Sequence, residues 1–263
     1  MRCPDAVPLA LVALLLGACG ASVDGPAAPT AAGTAGAGTA SSRVDGEVTV
    51  LAAASLAAPL TSLVRAYETE HPGTSVRLGF GSSTTLAQQV AQGAPADLLA
   101  TAGTDALDRL GDAAPTETTT IARNTLEIAT PRDDPAGIDG LVDLAREDAA
   151  VVLCAATVPC GAAADEVLAR AGVAAHVVSR EIDVGATLAK VALGEADAAI
   201  VYHSDVVSAG GAVRGVEIPA EQNTTLDYPL ARFGDDPGAR DFAAYLAGPA
   251  GRAALAAAGF LPP

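Results

Sequence analysis

From Glu47 onward, runs with strand character alternate with runs that repeat apolar residues at helical spacing, and this alternation constrains the fold most. EVTVLAAA, SVRLGFG, ADLLATA, NTLEIATP, AAVVLCAA, HVVSREI, AAIVYHSD and LDYPLARF read as strands. The first helix is SLAAPLTSLVRAYETEHPG, with Leu56, Leu60, Leu63, Val64 and Tyr67 on one face. TTLAQQVAQGAP, TDALDRLG, LVDLARE, AAADEVLARAG and GATLAKVALGEAD follow as helices, and the C-terminal region is helical again. Strands separated by helices predict an α/β fold with a mainly parallel sheet.

In such sheets ligands bind beyond the carboxyl ends of the strands, where helices begin. Helix N-termini offer free N–H groups and a partial positive charge, so they favour anions. Four strand-to-helix junctions are rich in small or polar residues, and they end at Ser55, Ser83, Cys160 and Val184. Two lie before residue 100 and two after residue 150, as expected of two lobes facing across a cleft.

Charge sharpens this. The formal net charge is −16, which argues against nucleic acid and anionic membrane surfaces as partners. It also repels small anions at long range, so an anion site must be built from local groups. Other chemistries find little support. GFGSST lacks the third glycine of a dinucleotide fingerprint, and neither a P-loop nor a G-x-S-x-G elbow occurs. The residues alone favour plain helix N-caps for Ser55 and Ser83, and a strand-end aromatic for Tyr202. A surface hydrolase pairing one of the serines with a histidine, His203 in particular, stays open. So does an adhesive or structural role with an empty cleft.

The N-terminus carries a targeting signal. Arg2 precedes the apolar stretch Ala6–Leu16, too short to span a bilayer, and LLGAC ends at Cys19. This resembles the lipobox of bacterial lipoproteins, with residues 1–18 as signal peptide and Cys19 as lipid acceptor. Residues 19–46, rich in Ala, Gly, Thr and Pro, read as a flexible tether, leaving 47–263 as the folded domain. Cys154 and Cys160, six residues apart in a chain sent to an oxidising compartment, read as a disulfide.

Several segments occur in a telling order: VLAAASL (51–57), SSTTLAQQVAQGAPADLLATA (82–102), VPCGAAADEVL (158–168), DVGATLAKVALGEADAAIVYHSD (183–205), YPLA (228–231) and FAAYLAGPAGRAALAAAGF (242–260). Together they resemble the molybdate-binding proteins of ABC importers, across nearly all of 47–260. The resemblance implies a two-lobed periplasmic-binding-protein type II fold, each lobe a mostly parallel sheet flanked by helices. Lobe 1 would hold about 47–123 and 228–263, and lobe 2 about 124–227, with two hinge crossovers near Asn124–Thr125 and Leu226–Tyr228.

The resemblance further implies an oxyanion site of neutral donors: the hydroxyls and N–H groups of Ser55 and Ser83, the N–H groups of Cys160 and Val184, and the Tyr202 phenol. They are oxyanion contacts, with no direct coordination of a metal. Cys160 departs from the family, which usually has Ala there. Molybdate or tungstate suits such a set, since both are fully deprotonated dianions. Sulfate is the alternative ligand, to be rejected by cavity size. The implied protein is not an enzyme. It is a monomer without a cofactor, lipid-anchored on the extracytoplasmic face, delivering its ligand to a membrane permease.

Overall fold

The computed structural model describes residues 46–263, so the signal peptide, Cys19 and the tether to residue 45 lie outside the described residues. Gly46, the expected end of the tether, already belongs to the first strand. The strands are β1 (Gly46–Ala53), β2 (Thr74–Gly81), β3 (Leu98–Ala100), β4 (Glu117–Pro131), β5 (Val151–Cys154), β6 (Val177–Glu181), β7 (Ala198–Tyr202), β8 (Val213–Glu217) and β9 (Thr225–Arg232). The helices are α1 (Ala57–Glu70), α2 (Ser83–Ala91), α3 (Pro159–Ala171), α4 (Val184–Ala192), α5 (His203–Ala209), α6 (Pro237–Ala247) and α7 (Pro249–Ala257). Short 3-10 turns cover Ala54–Leu56, Leu107–Leu110, Leu141–Ala145 and Gly210–Ala212.

The strands follow one path, β2-β1-β3-β9-β4-β7-β5-β6, with β8 added on β4. This path is two half-sheets. In the first, β1 pairs in parallel with β2 and β3, and β9 runs antiparallel beside β3. In the second, β5 pairs in parallel with β6 and β7, and β4 lies antiparallel to β7 and β8. Strand β4 belongs to both. Glu117–Thr125 pair with β9, and Leu126–Pro131 pair with β7 or β8. β3, β5 and β7 are buried along their whole length, as strands covered by helices on both faces must be.

Local signals account for the helix starts. Leu60, Leu63, Val64 and Tyr67 bury the inner face of α1. Asp183 Oδ1 accepts the Ala186 N–H at 2.9 Å and caps α4. Pro159 opens α3, where its missing N–H costs nothing.

Several readings need correction. TDALDRLG forms only a 3-10 turn, and so does LVDLARE. The strand expected at NTLEIATP begins seven residues earlier, at Glu117. HSD is not strand: it opens α5, with Asp205 Oδ2 accepting the Tyr202 N–H at 3.0 Å. Strand β8 went unread.

Candidate functional site

Four helix starts and one strand end meet at a single cavity. Ser55 lies in the 3-10 turn that carries β1 into α1, and Ser83 is the first residue of α2, just after β2. Both come from the first half-sheet. The second half-sheet supplies Cys160 as second residue of α3, Val184 as first residue of α4, and Tyr202 at the end of β7. All five line the cavity, together with Ser82, Asp183 and small or apolar residues. Each of the five is at most 4 % exposed, so the space between the half-sheets is closed. No Lys or Arg lines it.

The cavity measures about 20 Å³. So small a closed space admits only a compact group and excludes sugars, amino acids and peptides.

The walls are donor-rich. Val184 and Cys160 stand in first helical turns, whose N–H groups have no partner inside the helix. Ser83 Oγ accepts the Ala102 N–H at 2.9 Å, so its own hydrogen stays free to donate. Ser55 Oγ lies 3.0 Å from the Tyr228 hydroxyl, which also receives Asn124 Nδ2 at 3.4 Å. Ser82 stands at the N-cap position of α2 but makes no cap bond. Its hydroxyl and that of Tyr202 are buried without a hydrogen-bond partner among the described residues. Such groups each cost on the order of 1–3 kcal/mol when unpaired, so two of them at one cavity call for an acceptor between them.

Burial pushes the Tyr202 phenol well up, helped by the neighbouring Tyr228 and Asp205, so the group stays protonated and remains a donor. Asp205, behind Tyr202, is 6 % exposed. Its burial raises the carboxyl to about 7; the Tyr202 N–H pulls it down and the charge of Asp183 pushes it up.

Cys160 is bonded to Cys154, with Cα atoms 5.8 Å apart, so the start of α3 is tied to the end of β5. Packing there is tight: a Cβ on Gly161 would sit 2.0 Å from the Ala155 carbonyl oxygen. Thr84 Oγ1 donates to the Thr157 carbonyl at 3.2 Å, joining α2 to the loop before α3 across the closed cleft.

His203 does not form the serine pair that hydrolysis requires. Its Nδ1 bonds to Glu127 Oε2 at 2.6 Å. Sequence reasoning missed Ser82, Asn124, Tyr228 and Asp205. Only Asp205 carried a local signal, an acidic residue in the first turn of a helix.

Residues 48–261 match the family of bacterial extracellular solute-binding proteins. The molybdate-binding protein ModA of Mycobacterium tuberculosis is 35 % identical over 221 residues, covering 82 % of this chain and 85 % of that protein. Among solved structures, the periplasmic molybdate-binding protein of Azotobacter vinelandii aligns with a TM-score of 0.71 at 22 % identity, over 82 % of this chain and 99 % of that one. The sulfate-binding protein SubI of Mycobacterium tuberculosis aligns with a TM-score of 0.73 at 19 % identity, over 82 % and 86 %. At these identities the two structures speak for the fold, which is the periplasmic-binding-protein type II arrangement.

Proposed function

This chain belongs to the bacterial extracellular solute-binding protein family, and on that premise we propose that it captures molybdate or tungstate between its half-sheets. The observation that carries the reading is the pair of buried, unpartnered hydroxyls, Ser82 and Tyr202, on a cavity otherwise lined by helix N-termini. The 35 % identical relative named for molybdate binding supports the choice of ligand.

The proposed contacts are the hydroxyls of Ser55, Ser82, Ser83 and Tyr202 and the first-turn N–H groups at Ser83, Cys160 and Val184. All are donors. A fully deprotonated dianion offers only acceptors and satisfies them, whereas hydrogen phosphate brings a proton that needs an acceptor. The one carboxylate on the wall, Asp183, uses its Oδ1 to cap α4. Hydrogen bonds to a charged group are worth roughly 1.5–3 kcal/mol each, so several give tight binding without a basic side chain. Sulfate has the same charge and shape, and its smaller size makes it fill the cavity less well.

The anion would draw the half-sheets together by touching both, which favours the closed form. No bond of the ligand is made or broken. The closed protein would then be presented to a membrane permease, and Cys19 would hold it at the extracytoplasmic surface through a lipid.

A thermal-shift series with molybdate, tungstate, sulfate and phosphate tests the reading. Molybdate and tungstate are expected to raise the melting temperature, by the equivalent of about 2.7 kcal/mol at 100 times Kd. An equal shift with sulfate would make the protein a general oxyanion binder. No shift with any of the four would reject the site.

A further inference from the structure

The geometry points to Asn124 as a positioning residue that, through the Tyr228 hydroxyl, locks Ser55 as a hydrogen-bond donor toward the cavity. The inference rests on the oxyanion reading and adds to it the group that orients one of its donors.

Asn124 stands where β4 leaves β9 for the second half-sheet, and it is fully buried. Its Oδ1 accepts the Thr125 N–H at 3.0 Å. A flipped amide would set two donors against each other there, so Nδ2 must face the other way. Nδ2 has two hydrogens and both have acceptors: Ser204 Oγ of α5 at 2.8 Å and Tyr228 Oη at 3.4 Å.

Tyr228 is also fully buried. Asn124 Nδ2 can only donate to it, so the phenol hydrogen cannot be placed on that side. The Tyr202 phenol lies against it without completing a hydrogen bond, so its remaining partner is Ser55 Oγ at 3.0 Å. Tyr228 therefore donates to Ser55. Ser55 accepts from the protein, and its own hydrogen is left for the cavity. Amide, phenol and hydroxyl form a chain with one direction, set at the junction of the half-sheets and ending at the ligand. A ligand oxygen carrying a proton finds no acceptor for it there.

Reversing the chain tests this. In Asn124→Asp the Nδ2 donor becomes an acceptor while the carboxylate is ionised. Tyr228 then turns its hydrogen toward residue 124, and Ser55 turns its own toward Tyr228. Protonating the new carboxyl restores the donor. The ionisable groups nearby are Asp205 of α5, Asp183 at the cap of α4, and the phenols of Tyr202 and Tyr228; Arg123 points away, to the Pro262 carbonyl at 2.8 Å. Asp205 titrates in the wild type too, so each variant is compared with wild type at the same pH.

Calorimetry with molybdate is performed at pH 5.5 and 8.0 on wild type, Asn124→Asp, Tyr228→Phe and the double variant, with folding checked by circular dichroism. Relative to wild type, Asn124→Asp should bind at least 10-fold more weakly at pH 8.0 and recover most of that at pH 5.5. Tyr228→Phe should lose about 10-fold at both pH values, and the double variant should show no recovery. Should Asn124→Asp not fold, Tyr228→Phe decides by selectivity: its preference for molybdate over hydrogen phosphate should narrow by about 10-fold. Wild-type affinity and selectivity in Tyr228→Phe, or equal losses at both pH values in a folded Asn124→Asp, would overturn the chain while leaving the oxyanion site intact. A wild type that binds no molybdate would instead reject the site itself.

Discussion

Tyr202 and Tyr228 meet edge to face with ring centroids 6.0 Å apart, yet only Tyr228 has hydrogen-bond partners for its hydroxyl. The two phenols have different tasks. Tyr228 bonds to Ser55, and the Tyr202 hydroxyl is left unpaired on the cavity wall, where the proposed ligand would take it up.

Tyr202→Phe keeps the ring and its packing and deletes the unpaired hydroxyl. Molybdate affinity should fall by roughly 10- to 150-fold, the equivalent of 1.5–3 kcal/mol. The ligand-free protein should melt no lower than wild type, because the lost group had no partner. With no basic side chain on the cavity wall, affinity should also vary little between low and moderate salt. Calorimetry at two salt concentrations and a melting curve check all three. An unchanged Kd would reduce Tyr202 to a packing residue.

Asp205 makes stability depend on pH. Folded, its carboxyl titrates near 7 because it is buried; unfolded, it returns to the ordinary range near 4. Between those values the native state holds the extra proton, so this contribution to stability is present at low pH and is lost as pH rises toward 7. At 1.36 kcal/mol for each tenfold change in acidity, the rise to about 7 bounds the loss at about 4 kcal/mol. Asp205→Asn keeps an acceptor for the Tyr202 N–H without the charge. It should melt above wild type at pH 8, with the gap closing toward pH 4. Parallel melting profiles would show that Asp205 is ionised at no cost in the native state.

The disulfide closes a short loop, so its chain-entropy contribution is only about 2–2.5 kcal/mol. Its position matters more, since Cys160 stands in the first turn of α3 at the cavity. Replacing both cysteines with Ala should lower stability by about that amount and weaken molybdate binding several-fold. Binding and melting are to be measured on the double variant. Intact affinity would mean that the contact of Gly161 with Ala155 alone holds the helix start.

Cys19→Ala should release the protein from the membrane fraction into the medium, while wild type remains with the membrane and carries the mass of a lipid. Wild type found free and unmodified in the medium would dismiss the anchor.

Much of this protein is legible in its sequence because the cavity is assembled from local events. A strand end, a small or hydroxyl residue and a helix start can be read within ten residues, and five such readings, at Ser55, Ser83, Cys160, Val184 and Tyr202, arrive at one place. The failures involve distance. ETTTIAR looks like a polar loop because its threonines are exposed or half-buried, and it is a strand only because β9, more than a hundred residues away, lies beside it. Asn124 and Tyr228 are 104 residues apart and Ser55 and Tyr228 are 173 apart, so nothing nearby marks any of the three as one unit. Ser82 is missed for a subtler reason. It occupies a capping position, and that it leaves the cap bond unmade is visible only in three dimensions.

Strands β4 and β9 pair with each other from Glu117–Arg232 to Thr125–Thr225, with one register shift between Thr120 and Ala122, right up to the junction of the half-sheets. The connection is thus a two-stranded ribbon and not a pair of free cords. A ribbon bends easily across its flat face and resists in-plane shear, because sliding one strand along the other breaks its ladder. If the half-sheets open and close as proposed, this ladder would resist their sliding and would return the donors to the same register at each closure.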